Sequence, residues 1–380
     1  MFLSEISCWA LGLLVVFTLA TAVQLVLWWG VYAPFVFKLL RSTRQAPANT
    51  EGVSVVVCAR NAAQLLREHL PTLLEQQYAG PWELVVVDDA SADETPAVLQ
   101  DFSKKYSHLR VVRVEEKIFA GKKHALEKGI KAARFNNLLF TDADCCPNSP
   151  QWISLVSDKL LEKKDTQIVL GHGPFRHRPG WANAWARFEN THVALQYLAL
   201  ASAGFPYMGV GRNLGWKKSV FDQIGGFEAH KDVVSGDDDL LVNAAAEREN
   251  TAICVYPETF MVSEAPLSLP AWLRQKQRHL RAGHYYRPEH QALLTILAFS
   301  HVLHYFCIFT LLFLGIGTTY VISLYGVRLV SVALLNRRLY GRWNERGLLQ
   351  RFWLFDVCLA VYYGVLAPFF LINKSLIAWT

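Results

Sequence analysis

The sequence predicts an α/β domain with a mainly parallel sheet, set between membrane-crossing α-helices at both ends of the chain. Three observations carry that expectation. Only 18% of the 380 residues are charged and 52% are hydrophobic, whereas a typical soluble globule has ~25% charged residues. Long uncharged runs lie toward both ends, and between them short β-branched runs alternate with helical patterns. The 22 Phe, 14 Tyr and 12 Trp exclude disorder, because so aromatic a chain buries enough surface to offset its ordering entropy. The net charge of +6 is modest, and the basic residues cluster beside apolar runs rather than in one long stripe, so no nucleic-acid partner is expected.

Ile6 to Phe37 holds no Asp, Glu, Lys or Arg, and ~20 such residues suffice to cross a bilayer. The run is too long for a cleaved signal peptide, lacks a basic start and has no small-residue cleavage site before Lys38, so residues 6–37 read as an N-terminal transmembrane helix. Gln291 to Val327 is equally free of those residues and, with Leu329 to Leu335, gives a transmembrane hairpin over 291–335 turned at Gly315-Ile316-Gly317. Phe352 to Ile372 carries only Asp356 and is expected to form a fourth crossing, residues 352–373. Lys38, Arg41 and Arg44 follow the first span, and Arg337, Arg338, Arg342, Arg346 and Arg351 populate a basic loop over 336–351. Such flanks stay on the cytoplasmic side. The expectation is a multi-pass integral membrane protein of the cell membrane, with both termini outside and residues 45–290 forming a cytoplasmic domain. The seven Cys show no metal spacing, and adjacent Cys145 and Cys146 cannot form an unstrained bridge, so reduced thiols suit that compartment.

Within the middle domain the strand runs are Ser54 to Val57, Leu84 to Val87, Arg110 to Val114, Leu138 to Phe140 and Ile168 to Leu170. Between them Ala62 to Gln77, Glu94 to Lys105, Lys123 to Ala133 and Gln151 to Glu162 carry apolar residues three and four apart, the mark of amphipathic helices. Strand then helix, repeated, means a mainly parallel sheet, whose ligands bind at the carboxyl ends of the strands. The residues at those ends are polar: Ala59-Arg60-Asn61, Asp88-Asp89-Ala90-Ser91 and Thr141-Asp142-Ala143-Asp144.

No Gly-rich turn of the dinucleotide or P-loop type follows the first strand, so any bound phosphate needs another source of positive charge. Asp142 and Asp144, alternating at a strand end, can both approach a hard divalent ion that bridges a diphosphate. The competing reading makes Asp142 a cap for the helix starting near Pro150. Trp181, Trp185 and Phe188, beside Arg176, Arg178 and Arg187, suit either a helix on the bilayer surface that guides a lipid or an ordinary buried helix face. His301 and His304 fall inside a span and are expected to face the bundle interior rather than bind metal.

The ordered set VVVCARN, VVVDDASADET, AGKKHALEKGI, LLFTDADC, SGDDDLL and QKQRH, spread over about Val53 to Gly283, resembles the family 2 glycosyltransferases of GT-A fold, particularly their membrane-integrated branch. That resemblance implies a nucleotide-sugar-binding domain. It assigns Asp89 to the nucleotide base, Lys122 to the donor, and Asp142 and Asp144 to a Mg²⁺ or Mn²⁺ ion and the donor diphosphate. Lys123 stands where a small residue is usual. Gly211, Arg212 and Asn213, within Gly211 to Lys218 and followed by Gly225-Gly226-Phe227, resemble the acceptor-side floor.

In the segment Gly236-Asp237-Asp238-Asp239-Leu240-Leu241 the resemblance implies a general base, because an acceptor hydroxyl is a poor nucleophile until a carboxylate takes its proton. Leu241 and Asn243 set the register so that Asp238 is the base, with Asp237 the alternative; a charged helix start is the competing reading. Gln275 and Arg278 match the QxxRW element that closes over the diphosphate, where an Arg fork can bond two oxygens; an interfacial basic helix is the competing reading. His279 departs from the usual Trp on the acceptor side. The implied activity is inverting transfer of a sugar from a nucleotide diphosphate sugar, UDP-linked by expectation, to a membrane lipid or lipid-linked glycan at the cytoplasmic face. A processive polysaccharide synthase is the alternative, and a catalytically inactive nucleotide-binding membrane scaffold the second.

Overall fold

The computed structural model describes residues 8–41, 49–116 and 121–368. Among these, residues 49–286 form one compact unit, and residues 8–41 with 287–368 form another.

The first apolar run is one long helix, α1 (Cys8–Arg41), wound as a π-helix over Leu27–Tyr32. The α/β unit then begins with β1 (Val53–Ala59), α2 (Ala63–Leu74), β2 (Trp82–Asp89), α3 (Thr95–Lys105) and β3 (Leu109–Val114). It continues with α4 (Lys123–Ala132), β4 (Asn137–Asp142), α5 (Trp152–Leu161) and β5 (Ile168–Gly171). After the 22-residue α6 (Trp181–Ser202) come β6 (Leu214–Lys217), α7 (Asp239–Ala245), β7 (Thr251–Cys254) and α8 (Leu269–Ala282). The seven strands lie in the order β3-β2-β1-β4-β6-β5-β7. All neighbours are parallel except β6, which runs antiparallel to both β4 and β5.

Side-chain alternation explains how both faces are covered. Val53, Val55 and Val57 of β1 pack with Leu84 and Val86 of β2 against Leu66 and Leu70 of α2, Leu99 of α3 and Trp152 and Ile153 of α5. On β1 and β2, Val56 and Val87 point the other way, where α4 approaches so closely that a Cβ on Gly129 would lie 2.7 Å from Val56. A strand buried on both faces has to be apolar throughout, which is why the β1, β2 and β4 runs are continuous. The edge strand β3 instead exposes Arg110 and Val111, and charged residues on an edge discourage pairing with another chain.

The second unit contains α9 (Pro288–Phe313), α10 (Thr318–Arg342) and α11 (Phe352–Val361), which passes into a π-helical turn over Tyr362–Leu366. Among the described residues three helices, α1, α9 and α10, are long and apolar enough to cross a membrane, whereas Phe352–Leu366 is shorter. Residues 369–373 of the expected last span lie outside the described residues. The hairpin turns where expected. Gly315 and Gly317 adopt φ of +68° and +56°, and the Ile316 N–H returns to the Leu311 carbonyl at 2.9 Å.

The basic segment expected as a loop over 336–351 is helical at its start, because α10 runs through Arg342. Its apolar stripe continues past the expected boundary: Leu335, Leu339 and Tyr340 are all buried, and Arg338 lays its guanidinium 5.2 Å from the Phe37 ring.

Inside this unit a polar cluster joins four helices. Arg328 of α10, with no exposed surface, donates to Asp356 of α11 at 2.5 Å, and Tyr305 of α9 donates to the same carboxylate at 2.5 Å. His301 bonds the Asp356 carbonyl at 3.0 Å, while Gln24 of α1 accepts from Arg328 at 3.3 Å and donates to Ser300 at 2.7 Å. His304 pairs with Thr21 at 2.8 Å. Both histidines face the interior, as the sequence suggests, and their neighbours are hydrogen-bonding groups of the helices. Removing one partner of a buried ion pair strands the other charge at a cost of ~3–5 kcal/mol, whereas replacing both with apolar groups is often neutral. Arg328→Leu and Asp356→Leu should each lower the thermal midpoint of the detergent-solubilised protein, and the double variant should regain most of the loss. Equal losses in all three variants would refute the pairing.

Candidate active site

Three loops meet at the carboxyl edge of the sheet. At the end of β2, Asp88 accepts the Ser91 N–H at 3.1 Å, closing a turn that holds Ala90 at φ +53°. That conformation costs a non-Gly residue ~1–2 kcal/mol, and Asn61, itself at φ +47°, braces it by accepting the Ala92 N–H at 2.9 Å. Neighbouring strand residues point to opposite faces; Asp88 lies 4.0 Å from Arg113, and the charge of Asp89 acts on Cys58. Burial pushes the Cys58 thiol up to about 12, with Lys122 opposing the shift and Asp237, Asp142 and Asp89 adding to it. The charges of all four groups thus reach that thiol.

Lys122 organises the centre. Its ammonium bonds the Asp142 carboxylate and stands 3.9 Å from Asp237. Burial works against that charge, but Asp142 and Asp237 hold it well above the usual lysine value. Asp142 is likewise depressed despite burial, by Lys122 first and then by Arg212 and Arg278. Lys122, Arg212 and Arg278 thus form a cationic surround on Asp142, which pairs with a lysine rather than capping a helix. Asp144 goes the other way, raised by burial and by its neighbour Asp142.

Asp142, Asp144 and Cys145 each offer an atom within 4.8 Å of the others. Burial and the two carboxylates hold the Cys145 thiol well above its normal range, so it stays protonated and only hard oxygen donors remain. That donor set fits a hard divalent cation completed by phosphate oxygens.

Arg212 donates to the Gly173 carbonyl at 2.6 Å and to Asn190 at 2.6 Å, and lies over the Phe175 ring. Its hydrogen-bond partners are neutral, so its positive charge acts on Asp142 and Asp144 at the edge. Asn213 departs from the acceptor-side expectation. Its amide donates to the His172 and Thr259 carbonyls at 2.8 and 2.7 Å and accepts from the Trp152 indole at 3.0 Å, so its side chain is spent inside the fold. Gly211 meets the site through its N–H, which donates to Asp238 at 2.6 Å.

Asp238 caps α7, accepting the Gly211 N–H on one oxygen and the Asp239 N–H at 2.8 Å on the other. Burial and Asp237 outweigh those two donors and raise its carboxyl to about 6. Both oxygens keep a second lone pair. The preceding loop is fixed by Lys123, which is fully buried and donates to the His230 and Val233 carbonyls at 2.6 and 2.7 Å. Gly121, at φ +88°, lets the chain pass under the loop, since a Cβ there would come 2.4 Å from the Val234 carbonyl oxygen.

On α8, Gln275 and Arg278 are one turn apart and share a face, and His279 is exposed. This helix is seated on α6 by Trp272 against Trp185, with ring centroids 5.3 Å apart, and by Lys276 to Glu189 at 2.6 Å. Trp185 and Phe188 are buried, which selects the buried-face reading for most of α6, while Trp181 remains exposed. The importance of Lys123 and Glu189 was not read from the sequence; a lone charge on an apolar helix face was the available signal.

A mostly parallel seven-stranded sheet with acidic pairs at its carboxyl edge has the GT-A architecture. Comparison with known proteins agrees. The family described as Glycosyl transferase family 2 matches residues 54–228, and Glycosyl transferase family group 2 matches residues 153–373. The chain belongs to the family 2 glycosyltransferases.

Among its relatives, the probable glycosyltransferase YdaM of Bacillus subtilis is 24% identical over 243 residues, covering 61% of this chain and 55% of that protein. The β-monoglucosyldiacylglycerol synthase of Trichormus variabilis is 24% identical over 243 residues, with 61% and 49% covered. The dolichyl-phosphate β-glucosyltransferase of Drosophila melanogaster is 37% identical over 129 residues, with 31% and 40% covered. The chain thus spans about half the length of these relatives. A Pyrobaculum calidifontis mannosyltransferase, solved with GDP-Man and Mn²⁺, shares the fold at a TM-score of 0.56 and 19% identity, over 92% of this chain and 99% of that one.

Losing the Asn213 amide would take that partner from the Thr259 carbonyl and the Trp152 indole N–H, at ~1–3 kcal/mol each, and one of two donors from the His172 carbonyl. Asn213→Ala should therefore lower the thermal midpoint sharply, and thermal unfolding of the solubilised protein measures it; an unchanged midpoint would return the residue to a binding role.

Proposed function

We propose that the protein is an inverting transferase that moves a sugar from a nucleotide diphosphate sugar to a membrane lipid or lipid-linked acceptor at the cytoplasmic face. The observation that carries this reading is the cationic surround of Lys122, Arg212 and Arg278 on the Asp142 carboxylate, beside Asp144 and within the same site as the buried Asp238 carboxyl. The first group suits a leaving diphosphate and the second suits a hydroxyl that must lose a proton.

In this reading Asp89 accepts from the nucleotide base, and Lys122, Arg278 and Gln275 hold the diphosphate. Asp142 and Asp144 would hold Mg²⁺ or Mn²⁺, which neutralises diphosphate charge when bound. Asp238 takes the acceptor proton as the hydroxyl attacks the anomeric carbon opposite the departing diphosphate, and the configuration inverts. Asp237 is held toward Lys122 and balances it, which leaves Asp238 as the base; Gly211, Arg212 and His279 stand on the acceptor side. Support for a lipid acceptor comes from the membrane-length helices and from relatives whose names specify a diacylglycerol glycolipid and a dolichyl phosphate. The basic flanks of the spans support a cytoplasmic α/β domain. Product chain length on extracted membrane lipids separates single transfer from processive synthesis.

Asp238→Asn should keep donor affinity and lower turnover by ~10²–10⁴-fold, the range for loss of a general base. Normal turnover in this variant, with a dead Asp237→Asn, would move the base by one residue. A base is active only when ionised, so kcat/KM should rise through about pH 6 and level off above it. An acid limb unmoved in Asp238→Asn would show that another group sets it. Asp144→Asn should abolish the metal dependence of donor binding, as read by calorimetry with Mn²⁺ and with chelator.

A further inference from the structure

The third aspartate of the triplet has its own partner. Asp239 and Tyr286, 47 residues apart and both buried, are joined by a hydrogen bond in which the Tyr286 hydroxyl donates to Oδ2 at 2.8 Å. The other Asp239 oxygen accepts the Leu240 N–H at 2.8 Å. Tyr286 lies just beyond α8, the helix of Gln275 and Arg278, and a second bond ties the same two segments: Ser235 donates to the Arg278 carbonyl at 3.0 Å. The Tyr286 ring packs 6.1 Å from that of Tyr207, whose carbonyl accepts the Asn243 amide at 2.7 Å, so α7 is held at its first turn and one turn further on.

From this geometry we propose that Tyr286 and Asp239 are a positioning pair, which sets the α7 start so that Asp238 meets the acceptor hydroxyl in register with the donor-side groups of α8. The inference rests on the reading of Asp238 as the base. Asp239 is ill suited to be a base itself, because its oxygens face Tyr286 and its own helix. Its carboxyl is pushed up to about 8, by burial first and then by Asp238 and Asp237 against the pull of Tyr286; Lys123 is the cation in range. At neutral pH it is a neutral acid, and the triplet does not carry three adjacent charges.

The distinguishing prediction is that the three neighbouring carboxyls respond differently to the same change. Asp239→Asn preserves both neutrality and an oxygen for Tyr286, so its turnover should stay within about threefold of the unmodified protein, far from the ~10²-fold or greater loss expected of Asp238→Asn. Asp239→Leu and Tyr286→Phe should each lower kcat about tenfold or more with donor affinity unchanged, since a misplacement of ~1 Å can cost ~10²-fold. Their double variant should be no worse than the worse single. Asp239→Asn as inactive as Asp238→Asn, or Tyr286→Phe at full kcat, would overturn the proposal.

A second measurement needs no turnover. Difference infrared spectra at neutral pH should show a protonated carboxyl stretch that vanishes in Asp239→Asn and moves to higher frequency in Tyr286→Phe as the bond to its oxygen is lost. A band that does not move in Tyr286→Phe overturns the pair even where transfer is normal. Its presence, with the expected shift, upholds the bond even if Asp238→Asn turned over normally and the base had to be reassigned.

Discussion

The ammonium of Lys122, shared between Asp142 and Asp237, is the interaction on which the rest of the site depends. The sheet delivers Asp89, Asp142 and Asp144 to its carboxyl edge, and the loop before α7 brings three more aspartates. Like charges so close in a partly buried place cannot all ionise freely. Each is accommodated differently. Asp142 and Asp237 share Lys122, Asp238 has two backbone N–H donors, Asp239 is neutral at ordinary pH, and Asp144 is raised and lacks a comparable cation at bonding distance. The division also assigns tasks. A carboxylate already tied to a lysine serves poorly as a base, whereas one raised to about 6 and held by two N–H donors is both oriented and near the pH where proton transfer is effective.

The membrane unit solves the same problem in a different medium. Arg328 and Asp356 come from separate helices, and each interrupts an otherwise uncharged stretch. Neither could be buried alone, but together with Tyr305, His301 and Gln24 they satisfy one another and join α1, α9, α10 and α11. Sequence reading saw Asp356 as a blemish in the last apolar stretch. Its meaning lay in the opposite charge 28 residues earlier, and the pairing is legible once lone charges of opposite sign in different spans are considered together.

Elsewhere, legibility followed element length and location. Strands β1, β2, β4 and β5 stood out because strands buried on both faces need continuous apolar runs, the edge strand β3 by its β-branched valines, and the acidic motifs because they follow such runs. The strands β6 (LGWK) and β7 (TAIC) are as short as β5 but lack its continuous apolar run, so neither they nor the antiparallel insertion of β6 show in the sequence. Its residues Leu214 to Lys217 were absorbed into an expected acceptor floor. Asn213 was visible as part of that motif, but only the structure reveals that its amide joins Trp152, His172 and Thr259 from three separate segments. Residue type announced polarity there, and contact decided what the polarity was for. Tyr286 had no local signal at all, because its partner is 47 residues away.

Lys122 and Lys123 show how much a single step along a helix can change a role. Successive residues at a helix start are turned by ~100°, so one ammonium points to the carboxylates at the sheet edge and the next into the loop over residues 230–234. A loop outside the sheet has carbonyls that no strand satisfies, and burying them unpaired is costly. Lys123 meets that need with a fully buried cation bonded to two of them. The desolvation of its charge still lowers the ammonium from its usual value, but Asp237 and Asp238 supply a field that offsets part of the effect of burial. A small residue in its place would leave both carbonyls without the ammonium and the aspartate triplet without its second nearby cation. The lysine therefore stabilises the loop and the charge pattern together, and the placement of Asp238 depends on both.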